Sequence, residues 1–152
     1  MNKKRIGVVL FLLFAVCSFA APPDDEQEIR SLTDQFCKAI VARNIDAIDS
    51  VFDPDPSNIY YDINEGPLVG LNRLKQVWRA AVTNQTISRF EFGRDMKITV
   101  RGAEALQTGS WEQTIQRGGS QRNVIGRATI LWRKTSAGWR VYHYHASITP
   151  RG

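Results

Sequence analysis

A chain of 152 residues sets one domain as the expectation. Its formal net charge of +5 comes from 20 basic against 15 acidic residues, but Lys3, Lys4 and Arg5 supply three of the basic ones. Without them 17 basic residues face 15 acidic ones, a net charge of +2, and that balance gives no support to a nucleic-acid partner.

Those three cations precede an apolar run from Ile6 to Val16 and then the small residues Ser18 and Ala20. That order predicts a signal peptide over residues 1–20, cleaved after Ala20. The run is short of the roughly 20 residues a membrane span needs. The expected product is therefore exported, periplasmic or secreted, with no membrane segment after cleavage. Cys17 would suit a lipoprotein signal, but Val16 stands where a small residue is wanted. Cys37 is then the remaining cysteine, so no internal disulfide can form and a hydrophobic core must hold the fold. Beside Phe36 it reads as a small buried apolar residue. Charge is uneven along the chain. Residues 21–88 hold 6 basic and 11 acidic groups, and residues 89–152 hold 11 and 4. A solvated basic sheet face is the simpler reading of this, and a site attracting an acidic ligand is the alternative.

Residues 21–25 read as a linker. Asp25 and Glu28 stand at capping-box spacing and predict a helix start. Ile29, Leu32, Phe36 and Ile40 follow at steps of three and four, an amphipathic helix to about Arg43. Asn44 can cap a second short helix burying Ile45, Ile48, Val51 and Phe52. The prolines of DPDPS stop it. NIYYDI predicts a strand and NEGP a turn. Gly70 opens a third helix with Leu71, Leu74, Val77, Trp78 and Ala81 inward. From Phe90 the period changes to two. Strands are predicted at 90–92 merging into 95–101, then at 104–116, 124–134 and 138–148, with turns at Gly102, Gly118–Gly119 and Gly138. Helices first and a strand meander last is an α+β order.

Three stretches carry a resemblance. IVARNIDAIDSVFDPD, YYDINEGPLVGLNRL and GRATILWRKTSAGWRVYHYHAS are similar to the second helix, the strand–turn–third helix and the last hairpin of SnoaL-like domains. These belong to the nuclear-transport-factor-2-like superfamily. The hairpin is also similar to the association domain of calmodulin-dependent kinases. The resemblance covers residues 26–149. It implies a cone-shaped fold, three N-terminal helices packed on a curved antiparallel sheet with a pocket over the concave face. Members include isomerases, cyclases, hydrolases, dehydratase-like enzymes and scaffolds, so it gives the pocket's place and not its chemistry. It also implies a homodimer.

Both histidines lie in VYHYHAS, His143 and His145. Side chains alternate across a strand. Strict alternation puts Trp139, Val141, His143, His145 and Ser147 on one face and Arg140, Tyr142, Tyr144 and Ala146 on the other. Similarity to the kinase association domains aligns their pocket arginines with Ser110, Ile130 and Ala146. On that registration Tyr142, Tyr144, Trp132, Ser110 and Glu112 face the pocket, while His143, His145 and Trp111 face outward as interface groups or, on a one-residue slip, as an alternative pocket set. The lost arginines remove bidentate carboxylate capture.

Asp62 is the catalytic candidate. Its context is similar to the place where steroid-isomerase-like members keep a general-base aspartate, and a carboxylate in an apolar pocket can relay a proton. Phe36 appears at the position matching their tyrosine donor, so the hydroxyl is missing there. Glu112 could pair with Asp62, and Tyr61, Trp78, Trp132 and the tyrosines offer an aromatic lining for a flat apolar ligand. No phosphate-cradling glycine loop and no zinc cysteine pattern appears, and the two histidines have no third ligand nearby in sequence unless the fold brings Asp62 or Glu112 to their face, so no cofactor and no metal is expected. The expected ligand is a small, mostly apolar molecule, with a non-catalytic oligomerising scaffold as the alternative.

Overall fold

A computed structural model describes residues 24–63 and 65–149. The expected leader, residues 1–20, and residues 21–23 of the expected linker lie outside the described residues.

Helix α1 spans Asp25–Val41. Its cap is Asp24, one residue before the expected one, whose side chain accepts from Gln27 N at 2.7 Å. The acids behind it have other work. Asp25 Oδ1 accepts from Lys134 Nζ at 2.6 Å and from Trp139 Nε1 at 3.0 Å, and Glu28 Oε1 accepts from Trp139 N at 3.2 Å. The first turn thus clamps the start of the last strand. Ile29, Leu32, Phe36 and Ile40 are buried, as their spacing predicts. The second helix is a 3-10 helix, Ile45–Ser50, and Asn44 makes no side-chain cap there. Ile45, Ile48, Val51 and Phe52 are buried.

Strand β1 is Ile59–Asp62 and β2 is Glu65–Val69. The expected turn at NEGP therefore opens an unpredicted strand. Pro67 can sit in it because β2 is the sheet edge, where one N–H needs no partner. Helix α2 spans Leu71–Asn84 and buries Leu71, Leu74, Trp78 and Val82. The meander follows: β3 Thr86–Phe92, β4 Lys97–Arg101, β5 Glu104–Arg117, β6 Ser120–Thr135 and β7 Gly138–Ile148. β3 and β4 both pair with β5, and Gly93–Met96 loops out between them. That is the expected merged strand, interrupted once.

The strand order is β2-β1-β7-β6-β5-β3, with β4 alongside β5. The sheet is mixed, not wholly antiparallel as expected, because β1 runs parallel to β7. The segment before β1 fixes that direction: Val141 N donates to Val51 O and Asp53 N to Val141 O, both at 2.9 Å. An α+β architecture, helices followed by a curved open sheet, is what the chain builds.

Register decides the faces. Trp111 pairs with Gly126, Gln107 with Ile130, and Ile130 with Tyr144. Odd residues of β5 and even residues of β6 therefore share the core face. Phe36 is the hub of that core. Its ring meets Phe52, Trp78, Phe90 and Tyr144 at centroid distances of 5.6, 4.9, 5.4 and 6.2 Å. Gln107 is fully buried and satisfied, its Oε1 accepting from Trp132 Nε1 at 3.0 Å and Thr33 Oγ1 at 3.1 Å.

Gly126 makes room for Trp111. A Cβ there would stand 2.2 Å from both the Trp111 ring and Ser147 O. Gly126→Ala should therefore destabilise the fold by about 1–3 kcal/mol through overpacking. Urea unfolding followed by tryptophan fluorescence measures it.

Candidate functional site

A cavity of about 260 Å³ opens between α1, α2, the β1–β2 hairpin and the core face of the sheet. Phe36, Trp78, Phe90, Trp111 and Tyr144 form its aromatic wall, and Asp62 and Gln113 are polar groups in it. Sites for drug-sized ligands run from about 300 to 1,000 Å³. This one suits a smaller molecule. Glu65, Ala80 and Asn84 line it too and are exposed, which marks the rim.

Asp62 ends β1 with its carboxylate recessed behind Trp78. Trp78 Nε1 donates to Oδ2 at 3.1 Å and Ile63 N donates to Oδ1 at 2.8 Å. Burial raises its pKa above the usual aspartate value, against the pull of those two N–H groups. Tyr144 is buried beside it. Desolvation pushes its phenol well above the ordinary range and the Asp62 charge adds to that. It therefore stays protonated at neutral pH and can donate. Trp111 Nε1 is buried with no hydrogen-bond partner among the described residues. An unpaired buried N–H costs free energy, about 1–3 kcal/mol.

Strict alternation fails in β7, and several expectations fail with it. The β6–β7 register shifts between Leu131 and Trp132: Leu131 pairs with His143 and Trp132 with Val141. The extra residue is Tyr142. Trp139 and Val141 face the core on one side of this bulge, and Tyr144 and Ala146 on the other. Tyr142 is half-buried away from the cavity, with the Arg133 guanidinium 4.1 Å from its ring centroid.

The other corrections follow from β5. Ser110 pairs with Arg127 and Glu112 with Ile125, on the outer face. Ser110 donates from Oγ to Asp95 Oδ1 at 2.6 Å and from N to the same carboxylate, which ties down the Gly93–Met96 loop. Glu112 lies 3.5 Å from Arg89 Nη1. The alignment of Ser110 with Ile130 and Ala146 thus slips by one in this strand, while Ile130 and Ala146 keep to the core face. Trp111, expected outside, is on the cavity wall. Trp132 faces inward but is core, bonded to Gln107 and away from the cavity. Tyr61 is outside, its ring laid on Gly66, where a Cβ would meet it at 2.6 Å. His143 and His145 are outside with it.

Of the residues singled out in the sequence, the cavity gathers Asp62, Trp78, Tyr144, Trp111 and Phe36, with Val77 from the inward face of the helix. Gln113 and Ile63 were not anticipated. Gln113 shares parity with Trp111, so the registration that put Trp111 outside hid it as well.

Residues 29–151 match the SnoaL-like domain family. The chain belongs to that family. Among solved structures it is similar to a nuclear transport factor 2 (NTF2-like) superfamily protein from Salmonella enterica serovar Typhimurium, at a TM-score of 0.74 and 20% identity over 83% of this chain and 92% of that one. A candidate dehydratase of the NTF2-like family from Streptomyces avermitilis gives 0.70 and 20%, over 85% and 100%. A candidate calcium/calmodulin-dependent protein kinase II association domain from Xanthomonas campestris gives 0.71 and 16%, over 88% and 95%. At these identities the likeness shows the fold. No curated protein matches the chain significantly.

The raised pKa of Asp62 has a stability consequence. Between the unfolded and folded pKa values the folded state binds more protons, so stability falls as pH rises through that window. Asp62→Asn removes this dependence. Wild type should therefore lose stability relative to Asp62→Asn as pH rises from about 4 toward neutral. Paired melting curves across that range check the sign, and a difference constant with pH would contradict it.

Proposed function

We propose that this SnoaL-like domain binds a small, mostly apolar molecule in the cavity and that Asp62 moves a proton on it. One observation carries the reading: a recessed carboxylate of raised pKa, held by Trp78 Nε1 and Ile63 N, in a cavity with five aromatic rings in its wall. A carboxylate so placed can take up and return a proton. Tyr144 and the unpaired Trp111 N–H supply donors that can hold an acceptor atom of the ligand. Glu112 is on the far side of the sheet and takes no part. Isomerisation or dehydration suits one carboxylate with neutral donors. The description of the Streptomyces protein as a candidate dehydratase fits that chemistry.

The untagged protein should carry a small organic adduct in a native mass spectrum. Returned to the protein in D2O, the extracted molecule should gain deuterium with wild type. With Asp62→Asn the exchange should stop while the melting temperature at pH 7 falls no lower than that of wild type. Full exchange by the folded variant would remove Asp62 from the chemistry.

A second reading, a homodimer paired through the outer sheet face, is favoured by one cross-sheet row. Val69 pairs with Ile59, Ile59 with His143, His143 with Leu131 and Leu131 with Leu106. Val69, Ile59 and Leu106 are 58, 42 and 42% exposed. Such a stripe on one face marks a contact surface. Sedimentation should show a wild-type dimer and a Leu131→Asp monomer that retains the adduct. A monomeric wild type would end this reading.

A further inference from the structure

The outer face holds a second group of residues that the cavity does not use. His143 and His145 alternate correctly beyond the Tyr142 bulge, so both imidazoles leave the same face of β7. Successive same-face residues of a strand are about 6.6 Å apart. Their partners on β1 are Ile59 and Tyr61. The Tyr61 ring lies 6.2 Å from the His143 ring and 5.8 Å from the His145 ring, centroid to centroid. Since Tyr61 is seated on Gly66, that ring forms a fixed wall beside both imidazoles.

One hydrogen bond sets the chemistry of the pair. His143 Nδ1 is 2.8 Å from Ile59 O. A carbonyl can only accept, so Nδ1 carries the proton, and in the neutral ring the lone pair is left on Nε2. This is the arrangement behind most metal-bound histidines, where the other ring nitrogen donates to a carbonyl or carboxylate. It fixes the tautomer and the ring orientation before any ion arrives. His145 is exposed, and its side chain makes no hydrogen bond among the described residues, which leaves it free to turn toward a shared ion.

We propose that His143 and His145 form a two-imidazole site for a borderline divalent cation, Cu²⁺ or Zn²⁺. Imidazole is a suitable ligand for both ions, and Cu²⁺ stands above Zn²⁺ in affinity for a given nitrogen site. Among the described residues no group of three His, Cys, Asp or Glu side chains comes together. Water therefore fills the remaining positions in the monomeric chain, and pairing through the outer face would cover them. Calcium and magnesium, which require oxygen ligands, have no claim on the site. The site is separate from the Asp62 cavity, which lies on the opposite face of the same two strands.

The experiment is calorimetric titration of the full protein, made without a histidine tag, with CuCl₂ and with ZnCl₂. Saturable binding in the micromolar range is expected, tighter for Cu²⁺, with no response to MgCl₂. Loss of a hydrogen bond behind a ligating imidazole alone weakens binding about 10- to 100-fold. His143→Ala and His145→Ala should each weaken it by at least that lower factor. The electron paramagnetic resonance spectrum of the Cu²⁺ form should show nitrogen couplings that disappear in the double variant. His143→Asn, whose amide N–H stands where Nδ1 donates to Ile59 O, guards against a merely structural loss, and circular dichroism reports that the variants stay folded. Binding no tighter than millimolar would overturn the proposal. So would micromolar binding that the folded double variant retains.

Discussion

The single extra residue at Tyr142 governs what the last strand shows to each side. A β-strand without a bulge would carry Trp139, Val141 and both histidines on one face. Burying the first two would then bury the histidines, polar groups without partners in an aromatic core. The bulge opposite Leu131–Trp132 breaks that link. Trp139 and Val141 go in, Tyr144 and Ala146 go in after it, and the histidines go out. The neighbouring strand follows, because β1 pairs in parallel with the part of β7 beyond the bulge: Tyr60 lies beside Tyr144 and faces the core, and Tyr61 lies beside His145 and faces out. Asp62, two residues after Tyr60, returns to the inner face and reaches the cavity. The position of the proposed proton carrier therefore depends on a strand irregularity some eighty residues later in the chain.

The same core explains why the cavity is small. Phe36 touches four other aromatic rings from the centre of α1. A tyrosine at this place would put a hydroxyl into the cavity, and the phenylalanine puts in ring edge instead. Donors come from other walls, Tyr144 on β7 and Trp111 on β5. Trp111 can lie flat against the sheet because its partner across the pair is Gly126. A side chain there would push the indole inward and close much of the space. Cavity volume, the unpaired Nε1 and the missing Cβ at 126 are thus three aspects of one packing choice.

Most of the fold was legible because it rests on local periodicity. The i, i+3, i+4 spacing of Ile29, Leu32, Phe36 and Ile40 and the change to period two after Phe90 both report burial directly. The family resemblance read on the last hairpin belongs to the same category, since hairpin length and turn glycines are local. The parallel β1–β7 pair and strand β2 were not legible. The first depends on contacts between residues more than eighty positions apart, and the second contains Gly66 and Pro67, which read as a turn. Faces were the least legible feature. Parity is a rule of period two, and one bulge or a one-residue slip inverts it. Tyr142 was lost to the bulge, and Ser110, Glu112 and Trp111 to the slip in β5. Asp62 lines the cavity, and the stretch that pointed to it, YYDINEGPLVG, is local and carried the resemblance to the general-base position.

One pair of strands serves two surfaces. Tyr60, Asp62 and Tyr144 face the aromatic interior, and Ile59, Tyr61, His143 and His145 face outward from the same backbone. The His143 to Ile59 hydrogen bond crosses this pair on the outside, while the Asp62 carboxylate is fixed by α2 on the inside. The two are insulated by geometry, since alternate side chains of a strand do not touch through it. They are joined mechanically, since a shift of β1 along β7 would move both. A ladder only three pairs long, Ile59–His143 to Tyr61–His145, carries that load. The His143 bond to Ile59 O adds a side-chain tie at the start of this short ladder. On this reading the outer histidine helps hold the register that delivers Asp62 to the cavity, which gives His143 a structural role beside any ion it binds.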